Sequence, residues 1–305
     1  MFGMVQSRYA FFRIANDMAP RYGQSAIASP KKVVMPSPAC HGVSAPSNML
    51  LAALPAIEWE RVRKNLQPIV MPLGDVLHEP GMNVRHLYFP MTSVIAISYV
   101  MADGRADAVT LIGPEGFSGV DVLLGSGRAP SRAAVLSAGR GYRIERKWLN
   151  KECEHGGSML SVLLRYTQSY IAQVARTVVC NRHHSIDQQL CRWLLMFLDR
   201  QATTDLAITQ EQIAQLMGVR RESVTEAAHK LQIAGSIRYQ RGHIAVVDRS
   251  GLESRSCECY GVVKRETNRP LEIPRQLAGQ RFRQLPTGSA AGIQHRPPME
   301  QPILA

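Results

Sequence analysis

Arg221 and Glu222 stand side by side just after Gly218-Val219-Arg220, and the pair has the chemistry to read base edges in a DNA major groove. A guanidinium fork matches the O6 and N7 acceptors of guanine, and a carboxylate accepts from cytosine N4. Such reading needs a helix that turns both side chains away from a core. Val224, Ala228 and Leu231 supply the inward stripe at i, i+4 and i+7, which leaves Arg221, Glu222, Thr225, Glu226 and His229 on the other face. A shorter helix is expected just before it. Thr209 caps that helix, Gln212 completes a capping box, Ile208 packs on Ile213 as a hydrophobic staple, and Gly218 ends it. Two solvated helices with charges facing water are the plainer alternative. Cap, staple, glycine turn and amphipathic second helix fall in register, which favours a helix-turn-helix.

Residues 237–247 read as two strands around a glycine-containing turn, a wing whose Arg238, Arg241 and His243 meet phosphates. With Thr209, Gln210, Arg220, Arg221, Glu222, Ser223, Thr225 and Glu226 they make up the residues expected to contact DNA. The run Gly218-Val219-Arg220-Arg221-Glu222-Ser223-Val224 resembles the start of the recognition helix in the Crp-Fnr family, often Gly-x-Ser-Arg-Glu-x-Val. The resemblance implies base contacts for Arg221 and Glu222. Two positions depart from it: Arg220 replaces the usual capping Ser, weakening the cap while adding a cation beside the phosphates, and Glu226 stands where a third base-reading Arg is common.

Upstream, residues 48–66 read as a helix. Residues 68–145 are short β-rich runs punctuated by Pro72, Gly74, Pro80-Gly81, Pro90, Gly113-Pro114, Gly125 and Gly139, a spacing that suggests a small barrel. Val94 to Val100, Asp103-Gly104 and Ala108 to Ile112 read as a hairpin. The segment is similar to the β-roll effector domain of the same family, with Gly74-Asp75-Val76-Leu77 and Glu79-Pro80-Gly81 in its first turns, so the similarity covers about residues 50–250. In cyclic-nucleotide-binding members a Gly-Glu pair holds the ribose and an Arg-Ser pair the phosphate. Here Val120 takes the place of the Glu and Ser131-Arg132 reverses the second pair. Cyclic-nucleotide gating is therefore the disfavoured alternative, and Arg132 is expected on a strand edge at the surface.

Between these regions Leu160, Leu164, Thr167, Ile171, Val174 and Val178 recur at alternating steps of four and three in an unbroken helical pattern over residues 159–179, flanked by Leu163, Tyr166 and Tyr170. A heptad seam of this kind buries itself against its own domain or against a second copy. The resemblance implies a dimer helix, with Leu160, Leu163, Leu164, Thr167, Ile171 and Val174 at the interface. Two recognition helices one turn apart then read a palindrome. Residues 181–185 break the helix before another over 186–200, whose Leu190, Trp193, Leu194, Phe197 and Leu198 form a core face. Ser250-Gly251-Leu252-Glu253 reads as a further capping box, opening a helix that includes Cys257, Cys259 and Val263.

The 305 residues, 45% hydrophobic, suffice for two compact domains with tails, and a net charge of +12 favours a polyanionic partner. No apolar run approaches the roughly 18 residues that cross a membrane, and no secretory signal is evident, so a cytoplasmic location is expected. Cys40, Cys153, Cys180, Cys191, Cys257 and Cys259 are scattered, unlike a secreted disulfide framework or the clustered N-terminal cysteines of iron-sulfur members of the family. A zinc set of Cys180, His183, His184 and Cys191 fits no common spacing, and Cys257 and Cys259 at i, i+2 on one helix would point apart. No metal and no cofactor is expected. His78, Glu79 and His86 lack a compact His-x-His cage, and no Ser-His-Asp, Walker or dinucleotide motif occurs, so no catalytic residues and no enzyme are expected.

The expected fold class is α+β: an N-terminal β-roll, a long dimerisation helix and a C-terminal winged helix-turn-helix. Its expected divisions are a disordered or mis-started extension over 1–47, the β-roll over 48–157, the dimer helix over 158–182, the DNA-binding domain with a C-terminal helix over 183–266, and a disordered tail over 267–305. The expected function is a regulator that binds palindromic operators in double-stranded DNA as a homodimer, with RNA polymerase as a further partner and no membrane. A ligand-independent architectural DNA-binding protein is the alternative.

Overall fold

The computed structural model describes residues 47–268 apart from 103, 155, 202 and 241. The expected N-terminal extension up to residue 46, the expected tail from residue 269 and the wing residue Arg241 lie outside the described residues. Among the described residues no helix is long and apolar enough to cross a membrane.

The chain opens with α1 (Met49–Ala52) and α2 (Ala56–Val62), followed by a 3₁₀ turn over Arg63–Asn65. The single helix expected over 48–66 is thus broken, because Pro55 disfavours helical backbone at Leu54 and lacks an N–H of its own. Buried Asn48 secures the entry: its Oδ1 accepts from the Leu50 and Leu51 amides while its Nδ2 donates to the Pro90 and Gly116 carbonyls.

Two antiparallel sheets follow. One has β1 (Gln67–Met71), β7 (Gly139–Glu145) and β3 (His86–Pro90) side by side, and the other runs β2 (Val76–His78), β6 (Arg132–Ser137), β4 (Val94–Val100) and β5 (Ala106–Ile112). The expected hairpin is β4 paired with β5, from Ile95 opposite Ile112 to Val100 opposite Ala106. Met71, Leu87, Phe89, Ile95, Ile97, Ile112, Phe117 and Ile144 form the core, completed by Met159, Val162, Leu163 and Tyr166. Between β5 and β6 lies the short α3 (Val120–Leu123), and α4 (Arg146–Glu154) closes the domain.

The long helix α5 spans Ser158–His183. Its start is capped from α2, since the Glu58 carboxylate accepts from the Ser158 and Met159 amides, where the helix dipole favours an anion. The break after it is narrower than expected: residues 181–183 stay helical, His184 is extended, and Ser185 caps α6 (Ile186–Leu198) in a capping box with Gln188. The expected core face of α6 is buried. Beyond it come β8 (Asp205–Leu206), α7 (Gln210–Met217), α8 (Arg221–Ile233) and the wing strands β9 (Ile237–Gln240) and β10 (His243–Val246), ordered β8-β10-β9.

The C-terminal region corrects the sequence expectation. Asp248, not Ser250, is the cap, accepting from the Gly251 amide and from the Ser250 hydroxyl. An extended Ser256 divides the expected single helix into α9 (Arg249–Arg255) and α10 (Glu258–Asn268), which runs two residues into the expected tail. Cys257 falls in the break, so it and Cys259 are not held apart by helical geometry. Helix α10 returns antiparallel along α5, with Cys257 against Cys180 at one end and the Ser169 hydroxyl donating to the Glu266 carbonyl at the other.

Candidate nucleic-acid interface

The helix-turn-helix forms as its residue types require. The Thr209 hydroxyl accepts from the Gln212 backbone amide at 3.2 Å and the Gln212 side-chain oxygen Oε1 accepts from the Thr209 backbone amide at 2.9 Å, while Ile208 and Ile213 are both buried as a staple. Gly218 takes φ +65°, where a β-carbon is strained, and a Cβ there would also lie 2.7 Å from the Asp107 carboxylate. Helix α8 then presents Val224, Ala227, Ala228 and Leu231 inward. Its N-cap residue, Arg220, makes no side-chain cap, and while the Ser223 amide donates to the Arg220 carbonyl at 3.1 Å, the Arg221 and Glu222 amides remain for an anion.

On the outer face Arg221 and Glu222 are exposed, with the Arg221 guanidinium 4.0 Å from Glu211. Thr225 is exposed, but its hydroxyl donates to the Gln210 side chain at 2.8 Å, so these two expected DNA contacts tie the two helices together. Glu226 pairs with Lys230 at 3.0 Å, and Lys230 also reaches Asp187 at 3.1 Å. On the wing Arg238 is exposed, and His243 Nδ1 lies 3.8 Å from Asp205.

The first turn of α8 is not turned freely to solvent, as the sequence had suggested. Arg220, Arg221, Glu222 and Ser223 line a cleft of about 1530 Å³ whose opposite wall carries Ser98, Arg105, Asp107 and Arg132 from the β-roll. The cause is apolar. Ala96, Ala108 and Leu111 of β4 and β5 share one buried cluster with Ala214 and Met217 of α7, and burial at about 25 cal/mol per Å² favours keeping them together. A charge pair adds to the contact, because buried Arg200 Nε lies 2.7 Å from Glu115 Oε1.

On α5 the expected seam divides. Leu164, Ile171 and Val178 are 40%, 56% and 64% exposed, and Leu160 and Val174 are half-buried. Leu163 and Thr167 instead belong to the protomer's own core, where the Thr167 hydroxyl donates to the Leu163 carbonyl at 2.9 Å. They face i+3 from the exposed stripe, which a heptad assignment merged with it.

The position of the nucleotide cassette is filled. His78, Val120, Ser131 and Tyr170 enclose a space of only about 10 Å³, room for about one water. Arg132 is half-exposed, as expected, and pairs with Glu79 at 3.3 Å, but it opens β6, an interior strand paired with β2 and β4, and not an edge strand. Burial lowers the His78 pKa to about 4.

No metal site was expected, yet four potential ligands do converge. Cys180 and His184 meet Cys257 and Cys259, with all four donor atoms within 4.8 Å of one another; His183 and Cys191 are not among them. Sequence spacing missed the set because its halves lie more than 70 residues apart.

Residues 188–255 match the family model described as a Crp-like helix-turn-helix domain. The chain is 28% identical over 205 residues, 63% of its length and 89% of the relative's, to a CRP-like cAMP-activated global transcriptional regulator of Mycobacterium tuberculosis. Two solved structures share the fold: FixK2 from Bradyrhizobium japonicum, with a TM-score of 0.54 and 14% identity over 63% of this chain and 98% of that one, and a CRP/FNR-family transcriptional regulator from Thermus thermophilus, with a TM-score of 0.50 and 21% identity over 62% and 98%.

Proposed function

We propose that this chain, a DNA-binding transcription regulator of the Crp-Fnr type, reads palindromic operators as a homodimer through Arg221 and Glu222. The observation that carries the proposal is the N-terminus of α8, which lacks a side-chain cap and sets Arg220 for phosphates beside an exposed Arg and Glu pair suited to bases. Ser223 and Glu226 extend that face, and Arg238, Arg241 and His243 on the wing take phosphates and set the register. Thr209, Gln210 and Thr225 act chiefly by holding the two helices in place.

Dimerisation uses the apolar stripe Leu160, Leu164, Ile171, Val174 and Val178. Such a stripe on a long helix is costly to leave in water, and a second copy related by twofold symmetry covers it with its own equivalent. The protein works by binding rather than catalysis, in the cytoplasm, and passes its signal to RNA polymerase. Residues 48–157 serve as the effector domain, 158–182 as the dimer helix and 183–266 as the DNA-binding domain.

Operator binding requires α8 to leave the cleft, since base edges must reach the space that β4 to β6 now face. The regulator is therefore held in an off arrangement until α7 separates from β5. The filled cassette favours a signal other than cyclic nucleotide. Genome-wide binding-site mapping with footprinting tests the whole proposal: discrete inverted repeats protected by a dimer are expected. Broad protection without sequence preference would instead identify an architectural DNA-binding protein.

A further inference from the structure

The end of α5 and the start of α10 hold a cluster that DNA reading does not use. Cys180 Sγ lies 3.6 Å from Cys257 Sγ, and Cys259 Sγ lies 3.7 Å from His184 Nδ1. All four donors fall within 4.8 Å of one another, and the three cysteines are buried. A disulfide would need a sulfur separation of about 2.05 Å. A tetrahedral zinc ion with bonds of about 2.3 Å to sulfur and about 2.0 Å to nitrogen has edges of roughly 3.5–3.8 Å, which the Cys180–Cys257 and Cys259–His184 pairs match and toward which the remaining pairs, all within 4.8 Å, close on binding.

Two surrounding features fit the same ligand. The other ring nitrogen of His184, Nε2, lies 3.2 Å from Glu258 Oε2, the carboxylate-to-imidazole contact that orients a ligating histidine and leaves Nδ1 to face the metal. Arg192 on α6 is 0% exposed, and among the described residues its guanidinium finds no carboxylate, only the Thr177 hydroxyl and the Met196 sulfur. Thr177 is one turn before Cys180 on α5. A divalent ion held by three thiolates and one neutral imidazole carries a net charge of −1, and buried Arg192 supplies the balancing +1, without which its burial would be strongly unfavourable.

We propose that Cys180, His184, Cys257 and Cys259 form a tetrahedral site for a thiophilic divalent metal, zinc by preference, which staples the end of α5 to α10. Four protein ligands leave no open position, so the site is structural rather than catalytic, and three sulfurs with one nitrogen select zinc over hard cations. Its place is mechanically apt: His184 is the joint between α5 and the DNA-binding domain, and the staple fixes how that domain leaves the long helix.

The test is metal analysis of the full-length protein purified without chelators from zinc-supplemented cells, with cobalt(II) titration of the stripped protein. About one zinc per chain is expected, together with the intense visible absorption of tetrahedral thiolate-bound cobalt. Cys259→Ser should lose the metal and Cys191→Ser should keep it. Glu258→Gln alters only an exposed side chain and leaves the fold intact, and it should weaken zinc in chelator competition by about 10–100-fold. A folded protein with no zinc and no cobalt absorption would overturn the proposal. So would a native Cys180–Cys257 disulfide in peptide maps, or equal zinc affinity in the wild type and Glu258→Gln.

Discussion

Removing Glu115 tests how the DNA-binding domain is held against the β-roll. Arg200 and Glu115 are 3% and 8% exposed, and the Arg200 Nη1 hydrogen bond to the Met196 carbonyl at 2.7 Å fixes the guanidinium from the α6 side. At 2.7 Å and an effective dielectric of 20, Coulomb attraction is roughly 6 kcal/mol, from which the desolvation of both ions subtracts. Arg200 Nε–H is not aligned on the carboxylate, and among the described residues Nη2 has no partner, so the pair itself contributes modestly. Breaking it is another matter. Glu115→Ala strands a buried guanidinium, which costs about 3–5 kcal/mol, and at about 2–4 °C per kcal/mol for 150–250 residues the melting temperature should fall by roughly 6–20 °C. Arg200→Met alone should cost a similar amount, because it strands the carboxylate. The double variant, with both charges gone, should recover most of the loss and give a coupling energy of at least about 2 kcal/mol in a double-mutant cycle. Thermal and urea unfolding followed by circular dichroism measure all three. Additive losses, or a fall of under 3 °C in Glu115→Ala, would refute the view that buried charge links the two domains.

Arg221→Ala should weaken binding to the cognate operator by about 1–3 kcal/mol and leave random-sequence DNA nearly unchanged in fluorescence anisotropy; equal losses on both would remove the base-reading role. Ile171→Glu, which places a charge in the stripe, should yield monomers in sedimentation velocity at concentrations where the wild type is dimeric, since an unpaired buried charge costs several kcal/mol. Persistent dimers would show that the stripe is not the interface. Cyclic AMP should leave the melting temperature unmoved, whereas a ligand at a hundredfold excess over its Kd would add about 2.7 kcal/mol; a clear shift lost in Arg132→Ala would restore nucleotide gating. His78 has a folded pKa of about 4, below the ordinary histidine value. The unfolded chain therefore takes up its proton first, and stability should fall by about 3 kcal/mol as pH drops from about 6.5 to about 4. His78→Phe should flatten that part of the pH–stability curve, and an unchanged slope would mean that His78 titrates normally.

Local signals in the sequence carried the helix-turn-helix in full, because a cap, a staple, a left-handed glycine and an apolar stripe are each decided within one or two turns of chain. Thr209, Gln212, Ile208, Ile213 and Gly218 all take their expected roles. The hairpin of β4 and β5 was legible for the same reason. What escaped was long-range. Leu163 and Thr167 looked like seam residues, but which side of α5 the β-roll covers is decided by core residues such as Phe89 and Phe117, far away in sequence. The outer face of α8 was read as open because no pattern near residue 220 reports that Asp107 lies against Gly218. Nor could spacing reveal that Cys257 and Cys259 come home to Cys180.

The contacts around α5 limit how α8 can be released. One route bends the chain at His184–Ser185 and peels the DNA-binding domain, α10 included, off α5. With a metal held by Cys180, His184, Cys257 and Cys259, that route must break metal–ligand bonds, because two ligands lie on each side of the bend. The other route keeps α10 on α5 and swings only the part of α5 beyond Tyr166 away from β5, because Met159, Val162, Leu163 and Tyr166 are core residues of the β-roll. It must break the hold of Gln173, whose buried side-chain oxygen Oε1 accepts from the Leu111 amide at 3.3 Å and from the Thr110 hydroxyl on β5. It must also break the Arg200–Glu115 pair and the apolar contact of α7 with β5. The pair and the apolar contact open on either route, so the routes differ by the Gln173 hold, about 1–3 kcal/mol for a buried hydrogen-bonded group, against metal–ligand bonds of a site whose zinc binding is worth about 10–16 kcal/mol in small zinc domains. A loaded metal site therefore directs opening through Gln173 and β5, so that whatever alters the sheet at Thr110 and Leu111 acts on the DNA-binding domain through the part of α5 that runs from Gln173 to His183.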